Sequence, residues 1–246
     1  MVSLIDGDLC LYRCACSAEN ESFEIAKHRV NELLDLLLVK TEADSYRFFI
    51  GGKGNFRKAI FPEYKGHRTQ PKPIHLDSLR EYAVQELNAE ITEHDMETDD
   101  YLGIYQQNDT IICSLDKDLL QIPGKHYRWA IATAKWSKPE EYHTITEIEG
   151  LRLFYEQCLK GDKADNVKGV EGLGEKKAQK ILEKCETEIE MINTCLWHYP
   201  SEEEFLMNAQ CLYILRSFDD SYLTRYERVF SNENTENINE SDSNQV

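Results

Sequence analysis

The sequence of 246 residues lacks the long apolar run and the leader that would direct it to a membrane or out of the cell. A membrane span needs roughly 18 apolar residues. The longest candidate, ELLDLLLV at 32–39, is short and contains Asp35. The opening MVSLIDGDL has neither the basic segment nor the apolar core of a secretion signal. These absences predict a cytoplasmic protein without a membrane partner.

Cysteine and nucleotide-binding motifs are missing as well. None of the eight cysteines forms a C-x-x-C pair, and the seven histidines form no H-E-x-x-H pattern. Because zinc sites and disulfide frameworks need closer spacing, free thiols in a reducing compartment are favoured. The glycine-rich segment GGKGN at 51–55 satisfies no ATP-loop pattern, and no G-x-G-x-x-G follows the first predicted strand, so neither ATP nor a dinucleotide is indicated.

Positive charge is scarce, since 28 Lys and Arg face 45 Asp and Glu and give a net charge of −17. Taken alone, this net charge would repel a nucleic acid at long range. The distribution is uneven, however. Six basic residues against one acid lie between 53 and 72, whereas 186–206 contains six Glu and no Lys or Arg. A local surface for phosphates therefore remains compatible with the composition.

Apolar segments alternate in a way that predicts an α/β fold. The predicted strands are VSLID (2–6), YRFFI (46–50) and DTIICSL (109–115). The predicted helices near them cover 22–40, 76–91 and a shorter segment from 97. Such alternation is typical of a mostly parallel sheet with helices on both faces. After about 146 the pattern becomes helical, and the polar, acidic residues 231–246 predict a disordered tail.

Nine acidic residues fall in four clusters, and they carry the chemical signal. The clusters are Asp6 and Asp8; Glu97, Asp99 and Asp100; Asp116 and Asp118; and Asp162 and Asp165. Any one cluster has the ordinary explanation of a helix cap or a solvated loop. If the four converge at one sheet edge, however, their repulsion requires divalent cations, and carboxylate ligands favour Mg²⁺ or Mn²⁺. Two such ions about 4 Å apart suit phosphodiester cleavage.

Five blocks of sequence carry a resemblance to a known group of nucleases. The blocks are IDGDLCLYR (5–13), NFRKAIFPEYKGHR (55–68), METDDYLG (96–103), SLDKDLLQ (114–121) and LKGDKADNVKGVEGLGEKKAQKIL (159–182). In this order they resemble the flap endonuclease and 5′→3′ exonuclease superfamily, which includes the 5′ nuclease domains of bacterial DNA polymerase I. The opening DGDLCLYRCACSAE is similar to that of the free-standing exonuclease of T7-like bacteriophages.

The resemblance implies a PIN-like, resolvase-like sheet followed by a helical region with a helix-3-turn-helix motif. The implied organisation is a nuclease core at 1–145 with an arch or clamp at 52–80, a helical region at 146–230 with the duplex-binding motif at 159–184, and the tail at 231–246. The implied activity is metal-dependent 5′→3′ exonuclease cleavage of duplex DNA, with flap endonuclease and RNase H-like activity, in replication, repair or recombination. For a phage-encoded chain the compartment is the host cytoplasm.

The resemblance also implies roles for individual residues. The implied catalytic set is Asp6, Glu97, Asp99, Asp100, Asp116, Asp118, Asp162, Asp165, Lys65 and Arg68, and its eight acids together with Asp8 form the implied metal set. The implied DNA contacts are Arg13, Lys53, Arg57, Lys58, Tyr64, Lys65, Arg68, Lys168, Gly169, Gly172, Gly174, Lys176 and Lys177, with Tyr64 stacking on a terminal base. The implied cofactors are two Mg²⁺ or Mn²⁺ ions, with K⁺ at the helix-3-turn-helix motif.

One departure from the family pattern leaves alternatives open. Family members usually carry an aspartate after the second strand, where this chain has only Ile50, Gly51 and Gly52. Asp8 could compensate from the first strand, or the second metal ion could be held more loosely. The alternatives are a PIN-like ribonuclease, which the segment 159–184 disfavours, and a catalytically weakened nucleic-acid-binding relative. The expected partners are DNA with a 5′ end or flap and an RNA–DNA hybrid, and the expected state is a monomer.

Overall fold

A computed structural model describes residues 1–132 and 136–231. These residues belong to two compact units. Unit 1 comprises Met1–Phe56 with Arg68–Gly150, and unit 2 comprises Arg57–His67 with Leu151–Val246. The predicted arch is therefore divided, because its residues 57–67 belong to unit 2. Of the predicted tail, Ser231 is helical, and residues 232–246 lie outside the described range.

The elements are numbered in chain order. Up to residue 105 they are β1 (Val2–Asp6), α1 (Gly7–Ser17), α2 (Phe23–Thr41), β2 (Ser45–Ile50), α3 (Arg57–Ile60), α4 (Leu76–Glu86), β3 (Glu90–Ile91) and α5 (Thr98–Tyr105). They continue with β4 (Thr110–Cys113), a 3₁₀ helix (Asp118–Gln121), β5 (Gly124–Arg128), β6 (Ile131–Ala132), β7 (Ser137–Lys138) and β8 (Glu141–Ile145). The last are α6 (Glu147–Lys160), β9 (Gly161–Asp162), β10 (Val167–Lys168), α7 (Glu175–Leu182), α8 (Glu188–His198), α9 (Glu202–Leu212) and helical residues 222–231.

The sheet of unit 1 has six strands in the order β3-β2-β1-β4-β5-β8. Strands β1 to β5 run parallel in this sheet, and β8 is antiparallel to β5. The prediction of a mostly parallel α/β sheet is confirmed. Because β1 and β4 are neighbours, Asp6 and the loop after Cys113 lie side by side at the carboxyl edge.

Both faces of this sheet are covered by helices. On one face, Ile5, Phe48 and Ile50 belong to a buried cluster with side chains of α1, α2 and α4. Successive strand residues point to opposite faces, so Phe49 lies on the other face. Its ring stacks on Tyr105 of α5 with centroids 5.5 Å apart. The acids that follow β1 and β4 are therefore held by a sheet packed on both sides.

One predicted helix is shorter in the structure than in the prediction. The pattern predicted a helix over 76–91, but α4 ends at Glu86 and Glu90–Ile91 forms the edge strand β3. Asn88 explains the difference, because it adopts the left-handed conformation with φ 51°, which ends helices. The chain then turns back to pair with β2.

Unit 2 has its own core of aromatic side chains. Phe154 and Tyr155 of α6, Phe205 of α9, Tyr213 and Tyr222 are all buried. Their rings meet mostly edge to face or tilted, for example Phe205 and Tyr222 at 5.9 Å and 86°. The expectation of free thiols is confirmed, since all eight cysteines are unpaired and only Cys16 is exposed. Within residues 1–132 and 136–231, no helix is both long and apolar enough to cross a membrane.

Candidate active site

Ser114 joins the carboxyl ends of β1 and β4. Its hydroxyl donates to Asp6 Oδ2 at 2.6 Å and accepts the backbone N–H of Asp116 at 3.0 Å. The other oxygen of Asp6 accepts the backbone N–H of Leu9 at 3.0 Å, so Asp6 also caps the start of α1. The structure therefore brings together two of the predicted metal carboxylates, from two neighbouring strands.

Burial makes the charge on Asp6 costly. Only 4% of Asp6 is exposed. Loss of solvent is the main reason that its pKa is raised to about 7; the bonds from Ser114 and Leu9 lower the pKa, and the nearby charges of Asp8 and Asp116 raise it. The carboxylates of Asp8 and Asp116 are thus both close enough to disfavour the charged form of Asp6.

The loop after β4 is shaped by its own side chains and by an arginine. Asp116 Oδ1 accepts the backbone N–H of Asp118 at 2.9 Å, which starts the 3₁₀ helix. Arg128 of β5 is buried and donates to the carbonyl oxygen of Leu115 at 2.6 Å and of Asp116 at 3.4 Å. The guanidinium also lies 3.2 Å from Glu141 Oε2. Arg128 was absent from the predicted site because nothing in its local sequence marks it.

The start of α5 carries the next predicted acids. Asp100 is fully buried, and its Oδ2 accepts the backbone N–H of Glu97 at 3.0 Å. Glu97 and Asp99 are half-buried at the same end of the helix. Thr98 between them donates its hydroxyl to Asp8 Oδ2 at 2.6 Å. The first residue of α5, which lies between Glu97 and Asp99, is therefore in contact with Asp8.

Asp8 lies at the end of β2, although it belongs to α1. Its Oδ2 accepts the backbone N–H of Gly51 at 2.8 Å in addition to the Thr98 hydroxyl. Its Oδ1 pairs with Arg80 of α4, whose second terminal nitrogen donates to the Gly51 carbonyl oxygen. Arg80 and Thr98 were not predicted as site residues, because an arginine and a threonine within helices carry no motif. The carboxylate of Asp8 is thus engaged by three protein donors.

In unit 2, Asp162 and Asp165 lie in one turn. Asp162 Oδ1 accepts the backbone N–H groups of Ala164 and Asp165 at 2.6 and 3.2 Å. Gln157 donates to Asp162 Oδ2 at 3.1 Å. Both acids remain half-buried. The structure thus brings these two predicted metal acids together within their own unit.

Tyr64 and Lys65 contact Asp165 in the same unit. The Tyr64 hydroxyl donates to Asp165 Oδ2 at 2.6 Å, and Lys65 Nζ lies 3.6 Å from the same oxygen. Lys65 also donates its backbone N–H to the Asp165 carbonyl oxygen at 2.9 Å. Tyr64 is 2% exposed, so its ring has no free face for a base, and the predicted stacking role is wrong. The tyrosine instead fixes the Asp165 carboxylate.

The basic residues that were predicted to contact DNA differ in how deeply they are buried. Arg57 is 2% exposed and donates to the carbonyl oxygens of Cys211 and Tyr213 at 2.9 and 2.6 Å, so its predicted contact with a phosphate is wrong. Its neighbour Lys58 is exposed. Of the other predicted basic residues, Arg13 is half-buried, and Lys53, Arg68, Lys168, Lys176 and Lys177 are exposed.

The predicted helix-3-turn-helix segment contains the end of α6, the β9–β10 hairpin, a turn and α7. Leu173 donates its backbone N–H to the Val170 carbonyl oxygen at 3.1 Å. Gly172 has φ +78°, which fits the third position of a type II turn. Lys177 donates to the Gly172 carbonyl oxygen at 2.9 Å, and Gly174 caps α7. The turn therefore places exposed lysines and backbone N–H groups at one helix start.

The chemistry of the donors fits a hard cation. Across the described ranges, no three His, Cys, Asp or Glu side chains are arranged so that they could already hold a metal ion. The groups gathered at the edge of unit 1 are carboxylate and hydroxyl oxygens, which are the ligands that Mg²⁺ and Mn²⁺ prefer. Burial makes the charged form of the Asp6 carboxylate costly, and a bound cation would relieve that cost. The residues present therefore fit a divalent cation.

Known proteins similar to this chain are nucleases and polymerases. A family model described as 5′-3′ exonuclease, N-terminal resolvase-like domain, matches residues 1–149. DNA polymerase I of Chloroflexus aurantiacus is 33% identical over 148 residues, which are 52% of this chain and 16% of that protein. The 5′-3′ exonuclease of Bacillus subtilis is 29% identical over 150 residues, 55% of this chain and 50% of that protein. The chain thus spans half or less of the length of these curated relatives.

Solved structures of phage nucleases are similar over most of the chain. T5 5′-exonuclease with divalent zinc ions has a TM-score of 0.56 at 16% identity and covers 86% of each chain. The bacteriophage T5 flap endonuclease in a pseudo-enzyme-product complex with DNA and metal ions has a TM-score of 0.57 at 17% identity, covering 86% of this chain and 85% of that one. At such low identity the likeness shows a shared fold.

Proposed function

Because the chain belongs to the family of the 5′-3′ exonuclease N-terminal, resolvase-like domain, we propose that it is a metal-dependent 5′→3′ exonuclease. Its substrate is duplex DNA with a 5′ end, and flap cleavage and cleavage of the RNA strand of a hybrid belong to the same proposal. The bridge that Ser114 makes between Asp6 and Asp116 carries the proposal most directly, because it gathers carboxylates from two adjacent strand ends.

The acids are proposed as the groups that bind divalent cations. The proposed ligands are Asp6, Glu97, Asp99, Asp100, Asp116 and Asp118 in unit 1 and Asp162 and Asp165 in unit 2. When bound, two Mg²⁺ or Mn²⁺ ions supply Lewis-acid stabilisation of the charge that develops on the oxygens of the scissile phosphodiester. Burial of Asp6 supports this assignment, since it gives a carboxylate whose charge needs a counterion.

The half-buried Lys65 and several exposed basic residues are proposed to bind the DNA backbone. Lys65 and Arg68 neutralise the phosphate next to the cleaved bond, and Lys53, Lys58, Lys168, Lys176 and Lys177 contact other phosphates. The start of α7 adds backbone N–H groups that suit an anion. These contacts carry no base recognition, so binding depends on a 5′ end and on duplex shape. K⁺ is proposed to bind backbone carbonyl oxygens of the same turn, because a cation needs oxygen ligands.

A nuclease assay with end-labelled DNA tests the proposal. Wild-type protein with Mg²⁺ should release label from 5′-labelled duplex and flap substrates, and only larger fragments should carry a 3′ label. Asp116→Asn should abolish this release because it removes a carboxylate at the edge. Asp35→Asn, on an exposed face of α2, is the matched control and should cleave normally.

Other outcomes would select other functions. Cleavage confined to single-stranded RNA would support a PIN-like ribonuclease. DNA binding without cleavage at any divalent metal concentration would indicate a catalytically weakened relative. Equal rates for wild type and Asp116→Asn would exclude the proposed carboxylate mechanism.

A further inference from the structure

The Asp8 carboxylate takes up the space beside Gly51 at the end of β2. A Cβ added to Gly51 would lie 2.9 Å from Asp8 Oδ2, closer than real Cβ atoms approach their neighbours. The same oxygen accepts the Gly51 backbone N–H at 2.8 Å. A side chain at position 51 would therefore have to displace the Asp8 carboxylate from this place.

Arg80 completes the contact with Gly51. One terminal nitrogen of its guanidinium pairs with Asp8 Oδ1, and the other donates to the Gly51 carbonyl oxygen. The N–H and the C=O of Gly51 are thus both engaged by one ion pair. The Asp8 and Arg80 side chains are 39% and 29% exposed, so the pair is only partly screened by solvent.

Thr98 connects this ion pair to α5. Its hydroxyl donates to Asp8 Oδ2 at 2.6 Å, and the residue itself is buried. As the first residue of α5, Thr98 lies between Glu97 and Asp99. A shift of the Asp8 carboxylate would therefore move the backbone that carries the α5 acids.

We propose that Asp8 and Arg80 are positioning residues that clamp the end of β2 to the start of α5. The clamp, defined as Asp8, Gly51, Arg80 and Thr98, fixes the α5 carboxylates against the strand ends that carry Asp6 and Asp116. This inference rests on the proposed nuclease function for its activity readout. Arg80 belongs to the site although it contributes no metal ligand.

The hydrogen bonds favour positioning over metal ligation for Asp8. A carboxylate oxygen accepts about two hydrogen bonds. Gly51 and Thr98 already occupy Oδ2, and Arg80 occupies one side of Oδ1. The earlier expectation that Asp8 replaces a missing ligand after the second strand is therefore replaced by a role exerted through Gly51 and Thr98.

A double-mutant cycle tests the clamp. Asp8→Ala and Arg80→Met should each lower kcat about 10- to 100-fold, because a displacement near 1 Å costs about that much, and KM for DNA should stay near wild type. The double variant should be no worse than the more impaired single variant, since both remove one unit. Arg80→Lys should retain part of kcat, because lysine keeps a positive charge beside the Asp8 carboxylate.

Two readouts do not depend on cleavage. Hydrogen exchange of the amides at 98–103 should accelerate in both single variants. Mn²⁺ affinity, followed by electron paramagnetic resonance, should fall in Asp8→Ala because the α5 acids shift, and it should not recover when Gly51→Asp is added to Asp8→Ala. Arg29→Met is the control, since Arg29 of α2 pairs with Glu21 through another arginine–carboxylate bridge and its partners, Glu21 and Ser17, lie outside α5. This control should leave kcat and exchange at α5 unchanged.

A different result would contradict each part of the proposal. Additive losses in the double variant, or unchanged exchange at 98–103, would overturn the clamp. Recovery of Mn²⁺ affinity in Asp8→Ala/Gly51→Asp would make Asp8 a ligand instead. A wild-type protein that cleaves no DNA would contradict the proposed function, and the exchange data would still decide whether the clamp holds α5.

Discussion

Arg57 and Lys58 are adjacent basic residues with different surroundings, which shows what decides a role at the residue scale. The family resemblance implied a phosphate contact for both. Arg57 is buried and bonded to the carbonyl oxygens of Cys211 and Tyr213, whereas Lys58 is exposed. The arginine's partners lie more than 150 residues along the chain, so the local sequence could not reveal them.

Arg57→Met should therefore lower stability more than DNA binding. Two buried carbonyl oxygens lose charged donors, which costs about 2–4 kcal/mol of unfolding free energy. Lys58→Met should leave unfolding unchanged and reduce the salt slope of DNA binding by about 1. Urea unfolding and fluorescence anisotropy at several salt concentrations measure both. Equal stability of the two variants would contradict the structural role of Arg57.

Asp6→Asn should stabilise the protein when divalent cations are removed by EDTA. The folded-state pKa of Asp6 is raised to about 7 from an ordinary value of 3.8, so its carboxyl reduces stability as pH rises between these values. At pH 8 the cost is on the order of a few kcal/mol. Asparagine keeps hydrogen-bonding groups for Leu9 and Ser114 without a charge.

Thermal unfolding of Asp6→Asn at pH 5 and pH 8 measures this effect. The melting temperature of Asp6→Asn should exceed that of wild type at pH 8, and this difference should shrink towards pH 4. DNA cleavage should be lost in the same variant, because a cation ligand is gone. Asp44→Asn, an exposed control, should show neither change beyond the loss of its ion pair with the N-terminus. A lower melting temperature at pH 8 would contradict the raised pKa.

At the scale of elements, the strand alternation was predictable and several helices were not. The apolar pattern predicted α2, β2 and β4 because each buries a regular stripe or run. The helix α1 follows β1 without a loop, since Asp6 both ends the strand and caps the helix. Asp6 and Gly7 mark the end of the strand in the sequence, but the helix that begins directly at Gly7 was not predicted.

Arg128 of β5 donates to carbonyl oxygens in the loop after β4. Arg128→Met should therefore loosen this loop. The substitution leaves the Leu115 and Asp116 carbonyl oxygens without this donor and weakens the pairing of Glu141. We expect a loss of about 2–3 kcal/mol in unfolding free energy and reduced cleavage at temperatures where the protein is folded. Glu141 is 33% exposed, which limits the electrostatic share.

Arg29→Met provides the comparison for that substitution. Arg29 pairs with Glu21 at 2.6 Å on the surface, so its removal should cost about 0–1 kcal/mol. Chemical denaturation and steady-state cleavage of both variants give the answer. If Arg128→Met cleaves DNA as fast as Arg29→Met, the loop does not need the arginine.

The segment before α7 should respond differently to alanine at Gly169 and at Gly174. A Cβ at Gly169 would lie 2.2 Å from the Lys160 backbone carbon, whereas a Cβ at Gly174 meets nothing within 4 Å. Gly169→Ala should therefore cost about 2–4 kcal/mol, and Gly174→Ala about 0.5 kcal/mol from its helix-cap position. Unfolding of each variant measures the difference. Similar losses would contradict the close packing at Gly169.

At the scale of the whole molecule, a net charge of −17 opposes the approach of DNA. Glu186 and Glu203 are exposed in the acidic segment of unit 2. Glu186→Gln/Glu203→Gln should raise the DNA association rate about 2-fold at low ionic strength. The gain should vanish near about 0.3 M salt, where screening shortens the range of charges. Stopped-flow association measures it, with the uncharged exposed Asn193→Ala as control.

At this scale the fold and the acidic clusters could be predicted from the sequence, and the arginine side chains that support them could not. Strand order placed Asp6 and Asp116 at neighbouring ends because parallel strands share a carboxyl edge. Arg80 and Arg128 act through contacts that only the folded chain creates. A basic residue in a helix or strand has the same local sequence pattern whether it faces solvent or holds a loop.

The contact between Asp8 and Gly51 has a consequence for how this sequence can drift. A side chain acquired at position 51 meets the carboxylate already present, and loss of Asp8 leaves Gly51 and Thr98 without an acceptor. Each single substitution should therefore impair the protein, and only a paired change at positions 8 and 51 restores the contact. Positions 8 and 51 should vary together among descendants of this chain, as one inherited character recorded at two sites.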